Sequence, residues 1–284
     1  MTKGVLLHPA GAMQLRRVLI LADSSARWKI AGLRQLDRLL LSLHEFAGAT
    51  QPNVPVKVCV FWDPAIASCE RWVPDTSKLD GLEVIESADE FLAREAPDLA
   101  LNTRLLLYRE SLPSLIAASE QPAGAADAPA TEWQDLLRES QGAVPASQGN
   151  GEVICWEHLE TRADIAGCER RLLKNSGKSQ DGLAARFVNR PLSRFISRWL
   201  LRTSLTPSTW SMGIFILPLC ASVAFVQGTY AGFVAGCAIF QLYSILDGCD
   251  GEIARAKFLQ SEFGRRLDSL CDLIGNALLA LTLG

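Results

Sequence analysis

Between Ser204 and Leu246 the sequence contains no Asp, Glu, Lys or Arg. A stretch that long without charge does not suit a water-facing surface and fits lipid or a deep core. Histidine is scarce as well, with only His8, His44 and His158 among 284 residues. None of the eight cysteines (Cys59, Cys69, Cys155, Cys168, Cys220, Cys237, Cys249 and Cys271) forms a C-x-x-C pair. These absences argue against a Cys/His zinc site, and the cysteines read as free thiols in a reducing compartment. Cys249 and Cys271 lie beside a cluster of aspartates and read as small packing residues. The segment from Met1 to Arg17, interrupted by His8 and Pro9, lacks the apolar core of a secretory signal. The formal charge of −3 and the 49% hydrophobic content are averages over two unlike parts, because residues 1–203 hold most of the charge.

The uncharged stretch ends in an acidic cluster. Asp247, Asp250, Asp268 and Asp272 fall within 26 residues, together with Gly251, Ala254, Arg255 and Gly264. An Asp at the centre of a spanning helix costs roughly 2.5–3.5 kcal/mol to insert, and less near the interface. Four together need compensation, and a divalent metal is the natural source. Asp247 and Asp250 are three apart and Asp268 and Asp272 four apart, so each pair shares one face of a helix. Two facing helices would bring together four hard oxygen ligands, a set suited to Mg²⁺ or Mn²⁺. Two ions about 3.5–4 Å apart are a common solution for displacement at phosphorus. Gly251 and Gly264 leave room for a ligand to approach the backbone, and Arg255 offers a fork for phosphate oxygens. The alternative is a solvated acidic helix end that binds nothing.

The pattern D-x-x-D-G-x-x-A-R, eight residues, then G-x-x-x-D-x-x-x-D resembles the motif of the CDP-alcohol phosphotransferases, which are integral membrane enzymes of phospholipid head-group and related synthesis. The resemblance implies that Asp247, Asp250, Asp268 and Asp272 hold metal, with Asp272 also the base that takes the acceptor proton. It implies that Gly251, Ala254, Arg255 and Gly264 line the cytidine-diphosphate pocket. A CDP-alcohol donor, an alcohol acceptor and the bilayer are the expected partners. A homodimer is compatible, and no nucleic acid is expected.

The membrane part is expected over 204–284. Thr206-Pro207 starts a first apolar run that ends near Gln227, and Gly228-Thr229 makes a turn. Tyr230–Leu246 is a second run leading into Asp247, and a third begins after Gly264. The third stops at Gly284, and the family implies six spans, so three of six and a truncated fragment are the expectation. Arg186, Arg190, Arg194, Arg198 and Arg202 precede the first run, while Arg255, Lys257, Arg265 and Arg266 separate the second from the third. Both basic clusters then lie on one side, expected to be the cytoplasmic face of the inner or plasma membrane. Residues 186–203 read as an amphipathic juxtamembrane helix, with Leu192, Phe195, Ile196 and Trp199 on one face. The alternative is packing against the N-terminal domain.

Residues 1–180 read as a cytoplasmic α/β domain with a mainly parallel sheet. Strands are expected at Arg17–Asp23, Val56–Trp62, Leu82–Ile85 and Leu105–Tyr108. Helices are expected at Leu33–Phe46, with the stripe Leu36, Leu39, Leu40 and Leu43, and at Ala88–Glu95. The stretch from Ser119 to Gly151 reads as a long loop with one short helix around Trp133–Arg138. The opening strand, turn and helix resemble a nucleotidyltransferase domain of the kind fused ahead of some CDP-alcohol phosphotransferases. The segments 169–173 and 178–182 resemble the junction of such fusions. The glycine-rich phosphate loop of that family is replaced here by Asp23-Ser-Ser-Ala-Arg-Trp-Lys29, with no glycine before Gly32. Ser24, Arg27 and Lys29 remain available to an anion, as they would in any solvated turn. A degenerate, structural or regulatory domain is therefore expected, and the alternatives are a bifunctional enzyme that also makes its own CDP-alcohol or a catalytically incomplete membrane protein that binds CDP without turnover.

Overall fold

The computed structural model describes residues 14–85, 87–108, 111–119, 132–143, 147–150, 153–175 and 185–283. Two compact units emerge, one from residues 1–28 and 34–160, the other from residues 29–33 and 161–284. The contact boundary thus falls at Glu160/Thr161, and the short segment 29–33 belongs with the C-terminal unit.

In the first unit β1 (Arg17–Ala22), β4 (Val56–Trp62), β5 (Leu82–Ile85) and β6 (Leu99–Asn102) form a four-stranded sheet in the order β5-β4-β1-β6. The two-residue strands β2 (Lys29–Ile30) and β3 (Leu33–Arg34) lie outside it. All its pairings are parallel, with Val18 opposite Val58 on one side and Leu99 on the other. Parallel strands covered on both faces read as unbroken apolar runs rather than alternating ones. Val18-Leu-Ile-Leu-Ala22 is such a run, and every one of its residues is buried. Val18, Ile20 and Ala22 join the main core, where α1 (Gln35–Thr50) contributes Leu36, Leu39, Leu40 and Leu43. Leu19 and Leu21 point into a second cluster with Cys59, Phe91, Trp133 and Leu136. The leucine stripe expected of this helix is therefore its buried face.

Two features depart from the expected sheet. Leu105–Leu107 (β7) is not a member of the parallel layer. It pairs antiparallel with β9 (Val153–His158) in a separate sheet of order β7-β9-β8, where β8 is Ser147–Asn150. The fourth parallel strand is instead the four-residue β6. The chain also forms α2 (Ala88–Arg94) between β5 and β6, and α3 (Leu112–Ser119) and α4 (Trp133–Ala143) between β7 and β8. Most of the loop expected at 119–151 that is not in α4 or β8 lies outside the described residues, as does the segment 178–182.

The second unit is helical. It contains α5 (Ile165–Asn175), α6 (Arg190–Leu200), α7 (Pro207–Ile214), α8 (Ile216–Val226), α9 (Tyr230–Ala256) and α10 (Glu262–Leu283). The stretches Pro207–Val226 and Tyr230–Ala256 are long and apolar enough to cross a membrane. The first is interrupted at Phe215, between α7 and α8. Pro218 explains the break, because it has no N–H for the Ile214 carbonyl and its ring crowds that oxygen. The expected third span corresponds to the 22-residue α10, whose first half carries Glu262, Arg265, Arg266, Asp268 and Asp272. Among the described residues two helices, not three, are apolar enough by composition.

The α8–α9 hairpin turns at Gly228, whose φ of 63° suits glycine. The two helices then pack closely. A Cβ added at Gly236 would sit 2.6 Å from the Phe225 ring, so no side chain fits there without displacing an aromatic. We expect Gly236→Val to destabilise the helical unit by about 1–3 kcal/mol, the usual cost of overpacking. Thermal unfolding in detergent checks this, and Gly213→Val, where an added Cβ meets open space, is the control.

Helix α6 buries Ser193, Ser197 and Leu200, while Phe195 and Trp199 are 74% and 69% exposed. Its polar seam, not its apolar face, is what packs in this unit. The outward aromatic face has the character of an interfacial helix.

Candidate active site

The acidic residues come from two helices that meet near their connection. Helix α9 ends as Lys257 gives way to Phe258, which has a φ of 54°, a left-handed value uncommon for a bulky residue. Lys257 donates from Nζ to the Thr203 carbonyl at 2.8 Å, tying the end of α9 to the stretch after α6. Burial pushes this ammonium below its ordinary pKa. Chain direction then reverses into α10, where the Gly264 N–H donates to Ser261 Oγ at 3.0 Å.

This geometry converges three carboxylates. Oxygens of Asp247, Asp250 and Asp268 all lie within 4.8 Å of one another. Asp250 is nearly buried, and Ser211 of α7 donates to its Oδ2 at 2.5 Å. Trp210 Nε1 donates to the Leu246 carbonyl at 3.0 Å and fixes α7 against α9 one turn before. Asp272 stands apart from the trio. It is one turn farther along α10, and Tyr243 Oη donates to its Oδ1 at 3.1 Å.

The trio opens into a cavity of about 530 Å³. Gly251, Ala254, Arg255 and Gly264 line it with Asp247, Asp250 and Asp268, so seven of the eight motif positions share one space and Asp272 does not line it. The glycines have visible reasons. A Cβ at Gly251 would lie 3.0 Å from Arg255 Nη1, and one at Gly264 would lie 3.1 Å from Ser261 Oγ and 3.5 Å from Ser208 Oγ. Sequence reading missed Ser211, Tyr243, Gly248 and Arg190, which contribute to this region. Serine and tyrosine in an apolar run carry no spacing signal, so only the fold could reveal them.

Residues 205–284 match the family model described as CDP-alcohol phosphatidyltransferase. Over that stretch, which begins just before the first apolar helix, the chain is similar to this family. It is also similar to proteins named "Bifunctional IPC transferase and DIPP synthase". The relative from Archaeoglobus fulgidus is 33% identical over 131 residues, 45% of this chain and 25% of the relative. That from Aquifex aeolicus is 31% identical over 139 residues, 49% of this chain and 30% of the relative. That from Rubrobacter xylanophilus is 34% identical over 150 residues, 52% of this chain and 33% of the relative. The chain therefore spans a quarter to a third of the length of these curated relatives.

The N-terminal unit offers a second place to look, where β1 and β6 end side by side at the carboxyl edge of the parallel sheet. Open α/β sheets bind ligands at such a switch point. Here Asp23 is engaged by its own surroundings. Its carboxylate accepts from the Ser25 N–H at 2.7 Å, from Thr103 Oγ1 at 3.2 Å and from Arg104 Nε at 2.6 Å. Ser24 and Arg27 are exposed in the short turn that follows, and Lys29 belongs to the other unit. Burial alone would raise the Asp23 pKa, but the hydrogen bonds from Ser25 and Arg104 outweigh it and hold the carboxyl below its usual value of 3.8. A depressed pKa stabilises the fold at pH values above that of the unfolded chain, and the contribution is lost as pH falls through the folded value. Asp23→Asn should thus cost about 1–2 kcal/mol at pH 7, with the gap from wild type closing below about pH 4. Urea unfolding of both proteins between pH 3 and 7 measures it, and a pH-independent gap would contradict the assignment.

Proposed function

We propose that the protein transfers a phosphoalcohol group from a CDP-alcohol to a hydroxyl acceptor, with release of CMP, in phospholipid or related phosphodiester synthesis. The observation that carries this reading is the convergence of Asp247, Asp250 and Asp268 on a cavity that Arg255 also lines. Three hard carboxylate oxygens from two helices fit Mg²⁺ or Mn²⁺, as one ion or a pair. A divalent ion held there supplies charge neutralisation at the donor diphosphate.

The protein's own groups account for the rest. Ser211 holds Asp250 in place by hydrogen bonding, which leaves the Asp250 carboxylate oriented toward its two partners. Arg255, packed over Gly251, presents its guanidinium to phosphate oxygens. Asp272, which accepts from Tyr243 one turn beyond Asp268 on α10, takes the proton of the acceptor hydroxyl in this reading as that oxygen attacks phosphorus, and so requires the acceptor to reach past the cavity lining. The bond from phosphorus to the CMP oxygen breaks as the new ester bond forms. The basic residues of α6 and of the α9–α10 connection support a cytoplasmic position for this cavity under the positive-inside rule.

The name of the relatives joins two activities, and this favours a second reading in which the N-terminal unit supplies the CDP-alcohol. CTP consumption by the full-length protein in the presence of an alcohol phosphate, lost on Asp23→Ala and kept on Asp268→Asn, would support it. The main reading is tested by CMP release from a CDP-alcohol by the full-length protein in lipid nanodiscs. Release should stop with a chelator and return with Mg²⁺ or Mn²⁺. Turnover indifferent to the chelator would refute it.

A further inference from the structure

The motif accounts for one arginine of the cavity, Arg255, but two others line the same space, Arg265, which pairs with Glu262 at 2.7 Å, and Arg190. Arg190, the first residue of α6, reaches across to α9. Its Nη1 lies 3.4 Å from where a Cβ of Gly248 would be, so the guanidinium rests against bare backbone one residue after Asp247. Gly248 and Gly251 thus play matching parts, each admitting one guanidinium against the α9 helix, Arg190 at the first and Arg255 at the second.

Arg190 is aimed by a residue outside the fixed positions of the motif. Glu252 is completely buried, and its Oε1 lies 3.5 Å from Arg190 Nη1, whose side chain is 11% exposed. Ser193 Oγ donates to the same oxygen at 3.0 Å. Neighbouring polar contacts hold the start of α6 on α9, with Asn189 Nδ2 donating to Ser244 Oγ at 3.0 Å and Gln241 Nε2 donating to Asn189 Oδ1 at 2.7 Å. A carboxylate buried merely to fasten one helix to another is a poor device, since apolar packing of the same volume fastens at least as well. A carboxylate that sets the position of a guanidinium at the wall of an anion-binding cavity has a purpose that apolar packing cannot serve.

We propose that Arg190 is a second phosphate contact of this site and that Glu252 is the positioning residue that aims it. The inference rests on the phosphotransfer reading. The ligand is a phosphate oxygen, supplied either by the donor diphosphate or by a phosphate on the acceptor alcohol. The amphipathic helix α6 then has a second task besides lying at the membrane surface, since it carries one wall of the substrate pocket.

The test uses the full-length protein in nanodiscs, with CDP affinity measured calorimetrically in Mg²⁺ and KM measured separately for donor and acceptor. Arg190→Gln should weaken CDP binding about tenfold or more, or else raise KM for a phosphate-bearing acceptor by that factor with CDP affinity unchanged. The first outcome assigns the contact to the donor and the second to the acceptor. Arg190→Lys should recover part of the loss. Glu252→Gln, which keeps the volume and the Ser193 hydrogen bond, should move the same constant in the same direction by a smaller factor. A purely structural role would lower the yield of active protein and leave KM and CDP affinity at wild-type values. Wild-type constants in Arg190→Gln overturn the inference while the phosphotransfer reading stands. A wild-type protein that neither binds CDP nor releases CMP overturns both.

Discussion

Asp250→Ala in the full-length protein should reduce CMP release by at least about 10³-fold while leaving the helical unit folded. The magnitude reflects what the carboxylate does. It is the most buried of the three converging aspartates and the one anchored by Ser211. Under the proposed function Asp250 would hold a divalent ion, and loss of such a ligand forfeits several kcal/mol of charge stabilisation at the transition state, with each 1.36 kcal/mol a tenfold rate change. Stability should not follow activity, because burying an acidic side chain costs free energy and Ala removes that cost. Ser211→Ala should give a milder loss, about tenfold, since it loosens the carboxylate without deleting it. Steady-state assays with a thermal unfolding control separate the two effects. Near-wild-type turnover in Asp250→Ala would remove this residue from the centre.

The second large effect belongs to the N-terminal unit. Trp156 on β9 is completely buried and packs into the main core with the leucines of α1 and the strands β1 and β4. Trp156→Ala should cost about 3–5 kcal/mol, through lost apolar burial and the cavity left behind. That is a large share of the stability of a domain this size. Hydrogen exchange of β1 and β4 amides is the most direct readout. Their protection should collapse, while a surface change such as Glu83→Ala on β5, where the Lys57 pair is open to solvent, should leave it intact. Unchanged protection in Trp156→Ala would show that β9 is not part of the same cooperative unit.

How far the sequence discloses this structure varies with how local the determinants are. Val56–Trp62 and Leu82–Ile85 are strands with the expected bounds, because each is a compact β-prone run between turn residues. The leucine spacing of α1 likewise discloses its buried face. The four-residue β6 was not legible, since Leu99–Asn102 is too short to show a period and is defined by pairing with β1 from 81 residues earlier. Leu105–Leu107 looks like any buried strand, and only its antiparallel partner around Trp156 removes it from the main layer. Hydropathy reads 207–226 as one run because it is blind to the missing N–H of Pro218. At the site the spacing of the aspartates brought out the shared face of Asp247 and Asp250, whereas the meeting with Asp268 depends on the reversal at Phe258. Arg190 and Glu252 carry no sequence signal of their pairing, being 62 residues apart on separate helices.

The proposed function rests on one step, in which the aspartate cavity breaks the diphosphate of a CDP-alcohol. The most direct measurement follows ³¹P signals of a CDP-alcohol mixed with an acceptor alcohol, the full-length protein in nanodiscs and Mg²⁺. The diphosphate signals should give way to CMP and a new phosphodiester in equal amounts, and Asp268→Asn should leave them unchanged. Diphosphate signals that persist with the wild-type protein, or that decay equally with Asp268→Asn, would contradict it.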